Sequence, residues 1–299
     1  MSKIIVLLST FNGERYLRKQ IESVLSQKNV DVYLLVRDDG STDSTRTILQ
    51  KYEEQGALSL ILGENIGWRR SFMELVYAAP IADYYAFCDQ DDIWLPEKLS
   101  TAVSALEALN KKERPILYGS NLFYYKDGKV EGKLNLNPNY SKQSSLVRTL
   151  TCGCTLVFNK ELQLLLEQNR PKFIEAHDSW VFMTALYLGE IIYDPNAYIL
   201  YRQHDYNQIG AKTSFLERLK RAINAFKHGR KQCKRRAAEE FLNVFNRYLS
   251  DEDKLIVSRF ANYTKGIGFK IRLLLDNRYT MGKKSSDILL KLKILTNKI

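Results

Sequence analysis

The run Asp89-Gln90-Asp91-Asp92-Ile93-Trp94 sets three carboxylates within four positions, directly behind the apolar stretch 84–88. Like charges this close repel and raise one another's pKa unless a cation lies among them. Hard divalent ions take oxygen ligands and share them with phosphates, so the cluster reads as a metal site. A second acidic turn, Asp38-Asp39-Gly40-Ser41-Thr42-Asp43, follows the apolar stretch 30–36. Gly40 permits a positive φ there, and Ser41, Thr42, Asp43 and Ser44 suit a helix N-cap. Capping leaves the two adjacent Asp before the glycine unexplained. His177-Asp178-Ser179-Trp180 precedes an apolar helical stretch, where Asp178 reads either as an N-cap or as a base. Tyr201-Arg202-Gln203-His204 closes a strand, and His177 and His204 are two of only three histidines. Cys152-Gly153-Cys154 reads as strand packing, with Gly153 allowing close approach of a ligand.

The elements that must position these groups alternate. Apolar runs at 4–9, 30–36, 58–62, 84–88 and 116–125 read as strands, and helical spacing fills the intervals. Pro96 suits the first position of a helix reaching about residue 110. Residues 126–145 are polar and loop-like. The stretches 149–158, 178–188 and 191–201 then read as strand, helix and strand. This βαβα alternation predicts an α/β fold with a doubly wound, mostly parallel sheet. Ligands in such sheets bind beyond the carboxyl ends of the strands. Four polar clusters fall on that edge: 10–13, 38–41, 65–67 and 89–92.

Composition narrows the function classes. The 299 residues are 45% hydrophobic and 26% charged, as in a folded globular protein. Four cysteines form no CxxC pair, which argues against a zinc ribbon and a disulfide scaffold. Neither GxGxxG nor GxxxxGK[ST] occurs, so dinucleotide and P-loop readings fall. The first residues read as a β-strand rather than a signal sequence, and no stretch approaches about 18 apolar residues, the length needed to span a bilayer. Charge is uneven: residues 211–299 carry 22 Lys/Arg against 8 Asp/Glu, whereas the first 210 carry 23 against 26. A basic block implies a polyanionic partner or a solvated helical face. Apolar stripes at 215–226, 241–249 and 288–295, edged with Lys and Arg, suit helices lying in an anionic interface. Packing onto the protein or a second subunit is the competing explanation.

These motifs together resemble the family-2 glycosyltransferases, with their GT-A nucleotide-diphospho-sugar-binding fold. The likeness runs over about residues 3–210 through STFNGERYL (9–17), DDGSTD (38–43), ENIG (64–67), DQDDIW (89–94), GCTLVFN (153–159), HDSW (177–180) and YRQH (201–204), then Asn207 and Gly210. DQDDIW, HDSW and YRQH are most similar to the bacterial rhamnosyltransferase branch, which uses dTDP-L-rhamnose to build rhamnan, capsule or O-antigen. The resemblance implies a catalytic domain at 1–210 and a basic helical extension at 211–299. It implies that Thr10, Phe11, Asn12, Asp38, Asp39, Asn65, Gly67, Asp89, Gly153 and Arg202 hold the nucleotide sugar. Asp89 and Asp91, with His204 as a further ligand, would bind Mg2+ or Mn2+, and Asp178 would be the catalytic base. The common family form has Glu-Asp where this chain has His177-Asp178. The implied acceptor is a lipid-linked saccharide at the cytoplasmic face of the membrane, reached by a peripheral enzyme that need not be monomeric. Transfer from a UDP-hexose is an alternative within the fold. A sugar-phosphate nucleotidyltransferase would open with a GxGxR loop, which is absent, and no zinc finger, RNP motif or heptad zipper supports a nucleic-acid partner.

Overall fold

The computed structural model describes residues 1–109, 113–134, 140–203 and 232–299. The chain divides into two compact units. The first comprises Met1–Asn137, Thr151–Gln168 and Ala176–Asp205, and the second Pro138–Leu150, Asn169–Glu175 and Tyr206–Ile299. The second unit thus draws in two stretches, 138–150 and 169–175, that the sequence reading placed in the first domain.

The first unit carries strands β1 (Lys3–Thr10), β2 (Asp31–Asp38), β3 (Ser59–Leu62), β4 (Tyr84–Cys88), β5 (Ile93–Trp94), β6 (Ile116–Lys126), β7 (Lys129–Lys133), β8 (Val157–Asn159) and β9 (Glu190–Arg202). Its helices are α1 (Leu17–Leu25), α2 (Thr45–Glu54), α3 (Trp68–Ala78), α4 (Lys98–Leu109), α6 (Lys160–Gln168) and α7 (His177–Leu188). Among the described residues the strands form one sheet in the order β3-β2-β1-β4-β8-β6-β9-β5, with β7 paired to β6. Pairing is parallel for β1 with β2, β1 with β4, β2 with β3 and β6 with β9. The short β8 enters antiparallel between β4 and β6.

Central strands are covered on both faces and read as unbroken apolar runs. Ile4, Ile5, Val6, Leu7 and Leu8 of β1 are wholly buried, as are Tyr85, Ala86, Phe87 and Cys88 of β4. Each large apolar side chain so buried contributes about 1.5–3 kcal/mol. Helix α1 buries the stripe Leu17, Ile21 and Val24. Helix α7 buries Trp180, Val181, Phe182, Met183 and Ala185, apolar nearly all round, as an interior helix must be. The chain runs outward through β1, β2 and β3, then returns to place β4 on the other side of β1. This reversal is the topological switch point, where crevices open beyond the strand ends.

Three local readings are corrected. Residues 149–158 do not form one strand. Thr155 donates both its backbone N–H (3.0 Å) and its Oγ1 (2.8 Å) to the Cys152 carbonyl, closing a 3₁₀ turn at Gly153–Thr155 before β8. The stretch 126–145 is not only loop: Asp127 (φ 47°) and Gly128 (φ 82°) make the two-residue turn of a β6–β7 hairpin. Helix α4 starts at Lys98, so Pro96 lies in the turn ahead of it.

The second unit is helical: α5 (Lys142–Val147), α8 (Cys233–Phe245), α9 (Asp251–Ala261), α10 (Ile267–Leu275) and α11 (Lys284–Leu295). Phe241, Phe245, Val257, Phe260 and Tyr263 form its core. Ser250 caps α9, accepting from the Asp253 N–H (3.1 Å), and Asp253 pairs with Lys142 of α5 (2.7 Å). Phe241, Phe245 and Leu249 are buried, so packing accounts for the stripe at 241–249. The stripe at 215–226 lies outside the described residues. Among those described, no helix is long and apolar enough to cross a membrane.

Candidate active site

The loops after β1, β2 and β3 are laced into one surface. Asn12, at φ 49°, receives the Thr42 N–H on its side-chain oxygen (2.9 Å) and donates its own N–H to Ser41 Oγ (2.9 Å). The Gly13 N–H reaches Thr45 Oγ1 (2.8 Å). Buried Asp38 accepts from Arg46 Nε (2.7 Å) and from the Ser41 N–H, closing its own turn. Asp39, also buried, pairs with Arg37 and accepts from the N–H groups of Ile66 (3.0 Å) and Gly67 (2.9 Å). The second Asp of the turn therefore pins the ENIG loop. Gly40 is obligatory here: its φ is +85°, and a Cβ would stand 2.8 Å from the Asn65 nitrogen. Phe11 remains 43% exposed above this polar floor.

Gln90 joins this surface to the end of β4 across the switch point. Its Oε1 accepts from Thr10 Oγ1 (2.6 Å) and the Phe11 N–H (2.9 Å). The next residues form a different environment. Ligand atoms of Asp89, Asp92 and Cys154 lie within 4.8 Å of one another. Burial first, then the charges of Asp91 and Asp178, push the Asp89 carboxyl up to about 7. Burial first, then the charges of Asp91 and Asp89, drives Asp92 well above the carboxylate range. Asp92 Oδ1 accepts the Arg202 N–H (3.2 Å), while its buried Oδ2 has no hydrogen-bond partner. Arg202 also donates Nε to the Asp91 carbonyl (2.8 Å) and stacks over Tyr16 at 4.7 Å, fastening the acidic turn to the end of β9. Burial raises the Cys154 thiol far above its ordinary value. It stays protonated and makes a poor ligand beside the carboxylates. Mutually repelling oxygens with an unanswered Oδ2 fit a hard divalent cation. The clustered carboxylates are those of Asp89 and Asp92; Asp91, expected as a ligand, is not in this group, and His204 lies outside the described residues.

Asp178 lies in the first turn of α7, where Ala176 and not Asp178 holds the N-cap position; its charge helps raise Asp89, and its Oδ1 accepts the Ser179 N–H (2.7 Å). His177 beside it is buried, stacked on Phe72 (centroids 4.1 Å apart) and edge-on to Trp68 and Phe87. Burial, then Arg69, lowers it to about 3, so the ring is neutral, and neither nitrogen has a hydrogen-bond partner. Gly153 makes this possible: a Cβ there would stand 2.8 Å from His177 Nε2 and 3.4 Å from Asp178 Cβ.

The sequence model of the family described as "Glycosyl transferase family 2" matches residues 5–161. A "dTDP-rhamnosyl transferase RfbG" of Shigella flexneri is 30% identical over 230 residues, covering 72% of this chain and 77% of its own. The chain belongs to glycosyl transferase family 2. Solved structures share its fold. S. aureus TarS residues 1–349 align at TM-score 0.58 and 18% identity, over 98% of this chain and 79% of that one. The mannosyltransferase PcManGT of Pyrobaculum calidifontis, solved with GDP-Man and Mn2+, aligns at TM-score 0.52 and 16% identity, over 98% and 80%.

Seen as a family-2 glycosyltransferase, the chain shows what the motifs concealed. Gln90 and Arg37 were not singled out, although each ties two loops together. Lys98 was also missed. It is buried, its Nζ 3.7 Å over the Trp94 ring, and burial lowers it to about 8 against the pull of Cys88, Cys154 and Asp92. Its signal was a cation one turn behind an acidic cluster, on the inward face of α4.

Proposed function

We propose that the chain is an inverting, cation-dependent rhamnosyltransferase that moves L-rhamnose from dTDP-L-rhamnose to a lipid-linked saccharide of a cell-surface polysaccharide. The observation that carries the reading is that the Gly153-Cys154 turn lies against both Asp89, just past β4, whose carboxylate clusters with Cys154 Sγ, and Asp178, in the first turn of α7, whose Cβ is 3.4 Å from where a Gly153 Cβ would stand. One marks where a diphosphate would be neutralised and the other where a proton would be taken. Thr10, Phe11, Asn12, Asp38, Asp39, Asn65 and Gly67 frame the nucleotide, with exposed Phe11 offering a face for the base. Asp89, Gly153 and Arg202 border the diphospho-sugar. Mg2+ or Mn2+ bound by Asp89 and Asp91, with His204 as a further ligand, supplies positive charge against the departing diphosphate. Asp178 accepts the acceptor hydroxyl's proton as that oxygen bonds to the anomeric carbon. The bond from that carbon to the diphosphate oxygen breaks on the opposite side, so one displacement inverts the configuration. Rhamnose as the sugar rests on the likeness to the Shigella relative and on DQDDIW, HDSW and YRQH. A lipid-borne acceptor places the enzyme at the inner face of the cell membrane, with residues 211–299 as its basic extension and no nucleic-acid partner.

A panel of nucleotide sugars with Mn2+ tests the donor. Thermal stabilisation and turnover should be greatest with dTDP-L-rhamnose. Preference for a UDP-hexose would move the chain to the alternative donor, and preference for GDP-mannose would remove the rhamnosyl assignment.

A further inference from the structure

Helix α10 is an apolar helix that the core does not use. Six of its nine residues are Ile, Phe or Leu, yet only Leu273 is buried. Ile267, Ile271 and Leu275, one turn apart, are 72%, 47% and 76% exposed. Helix α11 repeats the arrangement. It buries Leu290 and Ile294 and leaves Ile288, Leu292 and Leu295 at 63%, 48% and 51%. The two helices belong to one unit and touch, with Lys270 Nζ donating to the Leu295 carbonyl (3.0 Å). Two apolar stripes on adjoining helices exceed the scattered exposure normal for a soluble surface and mark an interaction site.

Charge identifies the occupant. Residues 265–299 hold nine Lys or Arg against two acidic residues. Both acids are engaged internally: Asp276 with Arg259 and Arg278, and Asp287 with Thr280 and the Met281 N–H. Lys265, Arg272, Lys283, Lys284 and Lys291 are exposed around the stripes. A second copy would bring the same positive surface against this one. Apolar stripes bordered by cations suit a surface with an acyl interior and anionic headgroups.

We propose that α10 and α11 form a membrane-docking face that seats in the headgroup region of an anionic bilayer. Ile267, Ile271, Leu275, Ile288, Leu292 and Leu295 enter the interface, and the surrounding cations contact headgroup phosphates. The inference rests on the reading above only for its purpose, bringing the enzyme to a lipid-borne acceptor; the physical surface stands independently.

The test is co-sedimentation of the full chain with phosphatidylglycerol vesicles and with phosphatidylcholine vesicles. Parent protein should bind the anionic vesicles, weaken at high salt and bind the neutral ones at least tenfold less. The double variant Ile271→Glu/Leu292→Glu replaces exposed side chains, so its thermal midpoint should stay near the parent's, while vesicle binding falls at least tenfold. A variant that binds as well as the parent overturns the assignment, as does a parent that binds RNA but no vesicle. Parent dimers that the double variant splits, without vesicle binding by either, would give the face to a second copy. Donor turnover with a water-soluble acceptor is measured in parallel and should be unaltered by the double variant. Loss of that turnover in parent protein that still binds vesicles would overturn the enzymatic reading and leave the docking face standing.

Discussion

The two halves of the carboxyl edge handle charge in opposite ways. On the side of β1, β2 and β3, each Asp of the DDG turn has its partners. Asp38 has Arg46 and the Ser41 N–H, and Asp39 has Arg37 and two backbone N–H groups. On the side of β4 and α7, Asp89, Asp91, Asp92 and Asp178 act on one another, and the Asp92 Oδ2 and both His177 nitrogens are buried with no hydrogen-bond partner. The first half is a finished scaffold that holds its shape without a ligand. The second carries electrostatic stress that binding must relieve, and that is where chemistry is expected.

The largest effect should come from Asp178→Asn, which keeps the side-chain size but removes the proton acceptor. Turnover should fall about 10²–10⁴-fold with nucleotide-sugar affinity little changed. Activity within a few-fold of wild type would leave Asp178 as a first-turn acid that holds the Ser179 N–H. On the finished side, Asp39→Ala strands the buried Arg37 guanidinium and releases the Ile66 and Gly67 N–H groups. Breaking a buried pair in this way costs about 3–5 kcal/mol, readable as a lower urea midpoint. An unchanged midpoint would show that Asp39 does not hold the ENIG loop.

The smallest effect has the opposite sign and separates the halves most sharply. The Asp89 carboxyl sits near 7 in the fold, above its ordinary value of 3.8, because of burial, Asp91 and Asp178. At pH 8 it is therefore ionised against a folded state that favours its neutral form. Asp89→Asn should raise the urea midpoint of the ligand-free protein at pH 8, because the neutral amide avoids the buried charge, while transfer is lost. The gain should vanish near pH 3, where Asp89 is protonated in both states. Destabilisation at pH 8 would contradict the stressed-site description.

What the sequence made legible follows from the same division. Central strands such as β1 and β4 are buried on both faces, so their apolar runs identify them without knowledge of neighbours. Because strands run parallel from β1 to β4, their following loops converge, and the acidic and glycine-rich clusters mark the site. Pairings across long separations were hidden. Gln90 and Thr10 are 80 residues apart, and no local pattern announces their bond. Lys98 looked like an ordinary helix cation because its burial depends on Trp94 and the underside of the acidic turn. The β6–β7 hairpin was legible in principle from Asp127-Gly128 but was masked by polar composition. The strand expected over 149–158 gave way because the Thr155 side chain closes a turn on the Cys152 carbonyl. Amphipathic spacing in the second unit was visible, but spacing alone does not tell buried Phe241 and Phe245 from exposed Ile288 and Leu292.

The central claim is that the carboxylates at the end of β4 are answered by a divalent cation during transfer. Donor turnover by chelator-treated protein, before and after adding back Mg2+ or Mn2+, tests it most directly. Turnover should vanish with EDTA and return with either ion, and Asp91→Asn, while remaining folded, should not regain it. Full turnover by metal-free protein would contradict the claim.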